Sequence, residues 1–203
     1  EPVASEKQAA VLRLIEAYRI RGHQAAQLCP VQIRERQIIP ELSPEYHGLS
    51  AHDLETEFNS GTLTNVAQMK LKEIIEILNR TYTQSIGAEY MHITKTEERT
   101  WIQNQLESVK ANIKFSKERK VETLKELISA EGLERYLHTR YVGQKRFSLE
   151  GSDALIPMMH ELIDQSSEEG AEEIIIGMAH RGRLNMLVNI LGKAPKDLFD
   201  EFE

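Results

Sequence analysis

Residues 172–192, EEIIIGMAHRGRLNMLVNILG, decide how this chain reads. Ile174, Ile175 and Ile176 form an unbroken β-branched run, the pattern of a strand buried on both faces, as in a parallel sheet. From Arg183 to Leu191 apolar residues return at helical spacing, and Gly192 suits the left-handed residue that follows a helix. Just upstream, Leu155, Met159, Leu162 and Ile163 mark the inner face of an earlier helix. Asp153 is its expected cap, and Pro157 is tolerated if it falls in the first turn. Residues 166–170 read as the turn between that helix and the isoleucine run. Helix, buried strand and helix together predict a helix-rich α/β fold with a parallel sheet.

Upstream, the pattern is helical. Val11, Leu14, Ile15 and Tyr18 recur at i, i+3, i+4 and i+7, with Gly22 as the expected stop. Residues 24–49 lose periodicity and carry Pro30, Pro40 and Pro44, which predicts a long irregular connection. Ser50 with Asp53 forms a capping-box pattern for a short helix facing inward through Leu54 and Phe58. Leu71, Ile74, Ile75, Leu78 and Tyr82 give the next stripe. Thr94 with Glu97 is a second capping box, opening a helix with Ile102, Leu106, Val109 and Ile113 on one face. Ser116 starts a further helix through Leu124, Leu127 and Ile128, expected to break near Gly132. The change from all-helical to α/β character places a boundary within residues 115–143.

The junction from Gly177 to Arg183 carries the most chemistry. Ligands of open α/β sheets bind beyond the carboxyl ends of strands, and a following helix offers unpaired amides to an anion. The planar forks of Arg181 and Arg183 suit a phosphate or diphosphate. His180 is able to donate to an oxyanion or move a proton near neutral pH. The same residues also suit plain capping of carboxylates and carbonyls, and the spacing alone leaves both readings open. Gly177 and Gly182 have the spacing of a phosphate-binding P-loop, but Arg183 stands for its lysine and Leu184 for its hydroxyl residue. No hydroxyl is left for magnesium, which excludes a nucleoside triphosphatase of that kind. His160 and Glu161 begin an H-E-x-x-H pattern that Asp164 breaks, so no metal site is expected there. His47 and His52 lack partner ligands, and Cys29 lacks a CxxC partner, so these read as structural or solvated. Arg21, Gly22 and His23 read as a charged helix end, and the acidic residues 168–173 as a solvated turn.

Composition narrows the classes. A 203-residue chain with a net charge of -7 does not suit a nucleic-acid or anionic-membrane surface as its main partner. No apolar run approaches the ~20 residues of a membrane-spanning helix. The chain opens on Glu1 without a signal-peptide pattern, which reads as a truncated or processed start. A single cysteine, Cys29, forms no intrachain disulfide and fits a reducing compartment.

The segments GMAHRGRLNMLVNILGK (177–193), KRFSLEGSDALIP (145–157), YRIRGHQAAQL (18–28) and IGAEYMHI (86–93) resemble, in the same order, the thiamine diphosphate-dependent first component of 2-oxoglutarate dehydrogenase complexes. The resemblance covers essentially the whole chain. It implies a small helical domain over residues 1–115, with residues 116–203 beginning the first thiamine-binding α/β domain. It also implies thiamine diphosphate and magnesium as cofactors, 2-oxoglutarate as substrate, and a homodimer when the protein is full length. The lipoyl domain and core of a dihydrolipoyl succinyltransferase would be the partners.

Residue by residue, the resemblance makes Arg183 a cofactor contact, His180 the catalytic histidine, Phe147 a pocket-lining aromatic, and Arg181 a further pocket residue. Cys29 stands where relatives often carry aspartate. Members of the family are several times longer. The Gly-Asp-Gly with paired asparagines that holds magnesium, a second active-site histidine and the activating carboxylate are absent here. The 203 residues are therefore expected to supply one wall of a site and to be inactive alone. A bacterial cytoplasm is implied by EYMHI, or a mitochondrial matrix if the source is eukaryotic. Two enzyme alternatives stand beside this reading: a 2-oxoadipate dehydrogenase and a multifunctional 2-oxoglutarate decarboxylase. An alternative of another class is a helical docking module for the acyltransferase core.

Overall fold

The stripe Ala10, Val11, Leu14, Ile15 and Tyr18 is buried along helix α1 (Pro2–Ala25), as its spacing requires. In this computed structural model the described residues are 2–29, 31, 38–64, 66–109 and 114–202. They fall into two compact units, Glu1–Lys114 and Phe115–Glu203.

In the first unit, α1 does not stop at Gly22. The glycine lies inside the helix where α2 (Leu71–Tyr82) crosses it, and a Cβ there would sit 2.6 Å from Tyr82 Cβ. Gly22 serves close approach, and helix geometry carries the chain through it. The irregular connection that follows includes two short 3₁₀ helices, Pro40–Leu42 and Pro44–His47, each opened by a proline whose missing N–H is harmless at that position. Pro30 lies outside the described residues.

The Ser50–Asp53 pattern is present: the Asp53 carboxylate accepts from the Ser50 amide at 2.9 Å and its hydroxyl at 3.0 Å. The helix it opens is a single 3₁₀ turn, Ala51–Asp53. Phe58 belongs instead to strand β1 (Glu57–Asn59), paired antiparallel with β2 (Gln68–Lys70), where it points inward opposite Met69.

Helix α2 buries Leu71, Ile74, Ile77, Leu78 and Tyr82 against the α1 stripe, and each fully buried aliphatic side chain contributes about 1.5–3 kcal/mol. Helix α3 (Thr96–Val109) opens one residue later than the Thr94 capping pattern predicts, with the Arg99 amide donating to Lys95 O. Ile102 and Leu106 pack on the core, whereas Val109 is exposed and Ile113 lies outside the described residues. Helix α3 is tied down by a buried ion pair. Arg19 donates to both Glu107 oxygens, at 2.8 and 3.0 Å, and the Tyr82 hydroxyl adds a third bond at 2.6 Å. These three hydrogen bonds offset the desolvation cost of burying the carboxylate.

In the second unit, Ser116 caps α4 (Lys117–Arg140), accepting from the Arg119 amide. The helix runs through Gly132, a residue that costs a helix interior only about 1 kcal/mol. Its inner face lies largely beyond that point, at Ala130, Glu134 and Leu137, while Leu124 and Ile128 are exposed. Helix α5 (Leu155–Glu168) is preceded by Ala154, not Asp153, at its cap position, with Pro157 harmlessly in its first turn. It ends in a Schellman closure, Ala171 N to Ser166 O and Gly170 N to Ser167 O. Two short helices follow, α6 (Arg183–Asn189) and α7 (Pro195–Asp200). Gly192 is left-handed but stands one residue later than expected, after the Ile190 cap and Leu191.

The parallel sheet expected from residues 174–176 is not formed. Among the described residues the only sheet is the antiparallel β1–β2 pair, so the fold is helix-rich mixed α/β without a parallel sheet. The physical reason is the missing partner. A strand exists through its neighbour's hydrogen bonds, and no described segment supplies one here. Ile176 packs on the small core of Ala130, Leu149, Ile156 and Met186, but Ile175 is 90% exposed.

Candidate functional site

The loop before α5 and the turn before α6 meet at a backbone hydrogen bond, Gly182 N to Phe147 O at 2.7 Å. Around it stand all four residues expected to form a site. The Phe147 and His180 rings stack with centroids 5.3 Å apart and planes inclined by 28°. The Arg183 guanidinium carbon lies 5.9 Å from the Phe147 ring centroid, within cation–π range. Arg181 Nη2 donates to Glu150 O at 2.6 Å, so that side chain is committed to holding the 147–151 loop. Phe147, His180 and Arg183 are exposed.

Backbone strain marks the same place. Among the described residues the non-glycine residues with positive φ are Phe147, at 48°, and His180, at 79°. Each such conformation costs on the order of 1–3 kcal/mol and persists only where its surroundings over-determine it. Gly182, also left-handed at φ 76°, is pressed on Leu149: a Cβ there would meet Leu149 Cδ1 at 2.6 Å. The turn thus throws the imidazole onto the phenyl ring and starts α6 with Arg183 beside both.

The helix end contributes less to anion recognition than its position promises. Gly182 N is used by Phe147 O and Arg183 N by His180 O, at 3.0 Å. What faces outward is a guanidinium and an imidazole flanking an aromatic ring, a donor set for an anion with a planar or apolar portion.

Sequence reasoning missed the residues beneath. Glu134, 2% exposed, accepts from Leu149 N at 3.0 Å, Asn185 Nδ2 at 3.3 Å and Arg146 Nη1 at 3.1 Å. The only signal in the sequence was a glutamate at i+4 from Ala130 on a buried helix face.

The weaker candidates are placed elsewhere. His160 Nε2 pairs with Asn189 O at 3.1 Å, and His47 Nε2 with Glu41 O at 2.8 Å. Arg21 ion-pairs with Glu41, and His52 and Cys29 are exposed. Among the described residues no group of three or more His, Cys, Asp or Glu side chains is placed to hold a metal ion, and no helix is long and apolar enough to cross a membrane.

Fold and site together define a helix-rich α/β chain with an exposed cluster of an aromatic ring, an imidazole and a guanidinium. Comparison with known proteins says which chain that is similar to. It is 51% identical over 199 residues to the 2-oxoglutarate dehydrogenase E1 component of Azotobacter vinelandii, covering 98% of this chain and 21% of that protein. It is 46% identical over 205 residues to the protein of the same name from Haemophilus influenzae, covering 100% of this chain and 22% of the relative. The "Multifunctional 2-oxoglutarate metabolism enzyme" of Mycolicibacterium vanbaalenii is 42% identical over 200 residues, 98% of this chain and 16% of that protein. No protein-family model matches the chain. The chain is therefore homologous, along essentially its whole length, to a segment of the 2-oxoglutarate dehydrogenase E1 components, and spans about a fifth of their length.

Proposed function

We propose that this chain forms one wall of the active site of a thiamine diphosphate-dependent 2-oxoglutarate dehydrogenase, within the tricarboxylic acid cycle. The observation that carries the reading is the cluster itself: two strained residues, Phe147 and His180, stacked beside the Arg183 guanidinium. Backbone strain of this kind clusters at active sites and ligand clamps, and both side chains are exposed here. The name of the chain's relatives, 2-oxoglutarate dehydrogenase E1 component, offers 2-oxoglutarate as one ligand to test, and the family resemblance adds thiamine diphosphate.

The donor chemistry fits them. Arg183 would hold the diphosphate of thiamine diphosphate through charge-assisted hydrogen bonds, and His180 a carboxylate or the developing oxyanion of 2-oxoglutarate. Thiamine diphosphate, when bound, supplies the electron sink for decarboxylation. Phe147 gives the imidazole a flat apolar backing, which restricts its rotation and excludes water from one face. Arg181 shapes the pocket by fixing the 147–151 loop. Magnesium would be held by residues in the parts of such enzymes that this chain does not match.

On the same reading residues 1–115 are the small helical domain, and residues 116–203 begin the first thiamine-binding domain of a homodimer in a bacterial cytoplasm. The lipoyl domain and succinyltransferase core would then receive the succinyl group. The 203 residues alone would not turn over substrate. The multifunctional relative keeps a fused enzyme of broader chemistry as the second reading. The ratio of 2-oxoglutarate to 2-oxoadipate turnover on the longer protein separates the substrates.

Arg183→Ala in the longer protein carrying this segment tests the assignment. Loss of a charge-assisted hydrogen bond of about 1.5–3 kcal/mol raises the half-saturating thiamine diphosphate concentration by roughly 10- to 100-fold. Complex assembly, read by sedimentation, is expected to be unchanged. Unaltered cofactor dependence overturns the reading, and loss of assembly with intact E1 activity favours a docking module instead.

A further inference from the structure

The buried carboxylate of Glu134 makes its hydrogen bonds to none of the cluster's side chains, yet it is bonded to both segments that carry them. Oε1 accepts from Leu149 N at 3.0 Å and from Asn185 Nδ2 at 3.3 Å, while Oε2 accepts from Arg146 Nη1 at 3.1 Å. Arg146 and Leu149 bracket Phe147, and Asn185 sits in the first turn of α6, two residues after Arg183. Asn185, 0% exposed, also donates to Ala130 O at 2.9 Å, so α6 is pinned to α4 one turn before Glu134. Arg146 is in turn aligned by His138 Nδ1 at 2.9 Å.

A left-handed phenylalanine held in a loop relaxes unless the chain on both sides is fixed. Here Glu134 fixes both sides, and Gly182 N to Phe147 O closes the ring of contacts. A glutamate 2% exposed would be costly without such partners. Three donors from two separate segments satisfy it.

We propose that Glu134 is the positioning residue of the Phe147–His180–Arg183 cluster, acting through the Arg146 guanidinium, the Leu149 amide and the Asn185 side chain to hold the phenyl ring against the imidazole. The role deepens the active-site reading above and rests on it for its catalytic meaning, but the positioning itself is measurable without any cofactor.

In the 203-residue chain, the His180 ring stacked 5.3 Å from that of Phe147 is expected to carry a ring-current shift from it, with Phe147→Leu as the reference for its loss. Glu134→Gln keeps the size of the side chain but turns one donor toward Arg146. The expected result is loss of the His180 shift, while the amide resonances of α4 and α5 stay dispersed. Retention of the shift in the folded variant overturns the proposal. If Glu134→Gln does not fold, Arg146→Gln decides in its place: weakening of the shift supports the proposal and an unchanged shift overturns it.

In the longer enzyme, misplacement of the cluster is expected to lower kcat/KM for 2-oxoglutarate on the order of 10- to 100-fold. The losses from Glu134→Gln and Phe147→Leu should not multiply when combined, because both act through one ring. Multiplying losses overturn the proposal. If the ring shift responds as expected but Phe147→Leu and His180→Ala leave turnover intact, it is the active-site reading that fails, and Glu134 remains the support of a cluster without that catalysis.

Discussion

Gly182 shows how much of the candidate site rests on a single missing methyl group. Its φ of 76° and the 2.6 Å approach a Cβ would make to Leu149 Cδ1 are independent penalties. Gly182→Ala adds left-handed strain to overpacking, a loss of about 1–3 kcal/mol that urea unfolding followed by helical circular dichroism is expected to show. A loss below a few tenths of a kcal/mol would mean that Leu149 gives way freely and the turn is not held as described.

Asp53 sets a different dependence, on pH. Its hydrogen bond from Lys7 Nζ, at 2.5 Å, and that from the Ser50 amide hold the carboxyl below its ordinary value of 3.8. A carboxyl depressed in the folded state contributes stability that is complete above the unfolded value and is lost as pH falls toward the folded one. Asp53→Asn is expected to flatten the acid dependence of first-unit stability below about pH 4 while changing it little between neutral conditions and about pH 5. Equal acid slopes in the two proteins, read from urea midpoints, would refute that account.

Gly22 raises the same question at the scale of helices. In an exposed helix interior, glycine to alanine stabilises by about 1 kcal/mol. Where α1 crosses α2, the added Cβ meets Tyr82 Cβ at 2.6 Å, and neither atom sits on a flexible end. Gly22→Ala is therefore expected to lower the Tm, contrary to propensity, and a raised Tm would show that the helices can separate without cost. The stripes of α1 and α2 were legible because a 3.6-residue period written in leucine, isoleucine and tyrosine has one physical reading. Gly22 was misread as a stop because a glycine that permits close approach and one that ends a helix look alike without the partner in view. Gly132 was misread as a stop for another reason, since it faces open space and α4 simply runs through it at the ordinary propensity cost, and Phe58 was assigned to a helix because so short a strand carries no period. The isoleucine run failed for the opposite reason: local composition states a strand's preference, but only a neighbour makes it a strand. Of the candidate site, His180, Arg181 and Arg183 were singled out by their place at the 177–183 junction and Phe147 by resemblance, and the structure brings the four together. Glu134 was not, because a lone acidic residue on a helix has a solvated face as its ordinary explanation, and its three donors are separated from it by 12 to 51 residues in sequence.

Taken over the whole molecule, apolar burial is unevenly distributed. The first unit has one continuous core from Ala10 on α1 to Tyr90, reinforced by the buried Arg19–Glu107 pair. The second has two small clusters, around Ile156 and around Leu137, and leaves Val121, Leu124, Ile128, Met158, Leu162, Ile175 and Met178 exposed. Since burial of apolar surface is the main favourable term in folding, the two units differ in what holds them closed. Opening free energy follows local apolar burial, so amides of α2 are expected to exchange with deuterium far more slowly than those of α5 and α6. The experiment is native-state hydrogen exchange on the 203-residue chain, resolved by peptide or by residue. Two physical terms compete in its outcome. The buried network of Glu134 protects the start of α6 locally, whereas the poor cores of the second unit let whole helices open. If the network dominated, amides from Asn185 to Asn189 would match those of α2. Burial argues against this, because the network ties only the start of α6, whereas α2 buries a row of aliphatic side chains along its whole length. Equal protection in the two units would therefore mean that the second is stabilised by something other than the apolar contacts seen here. In that case the strained cluster would be better supported than its packing implies.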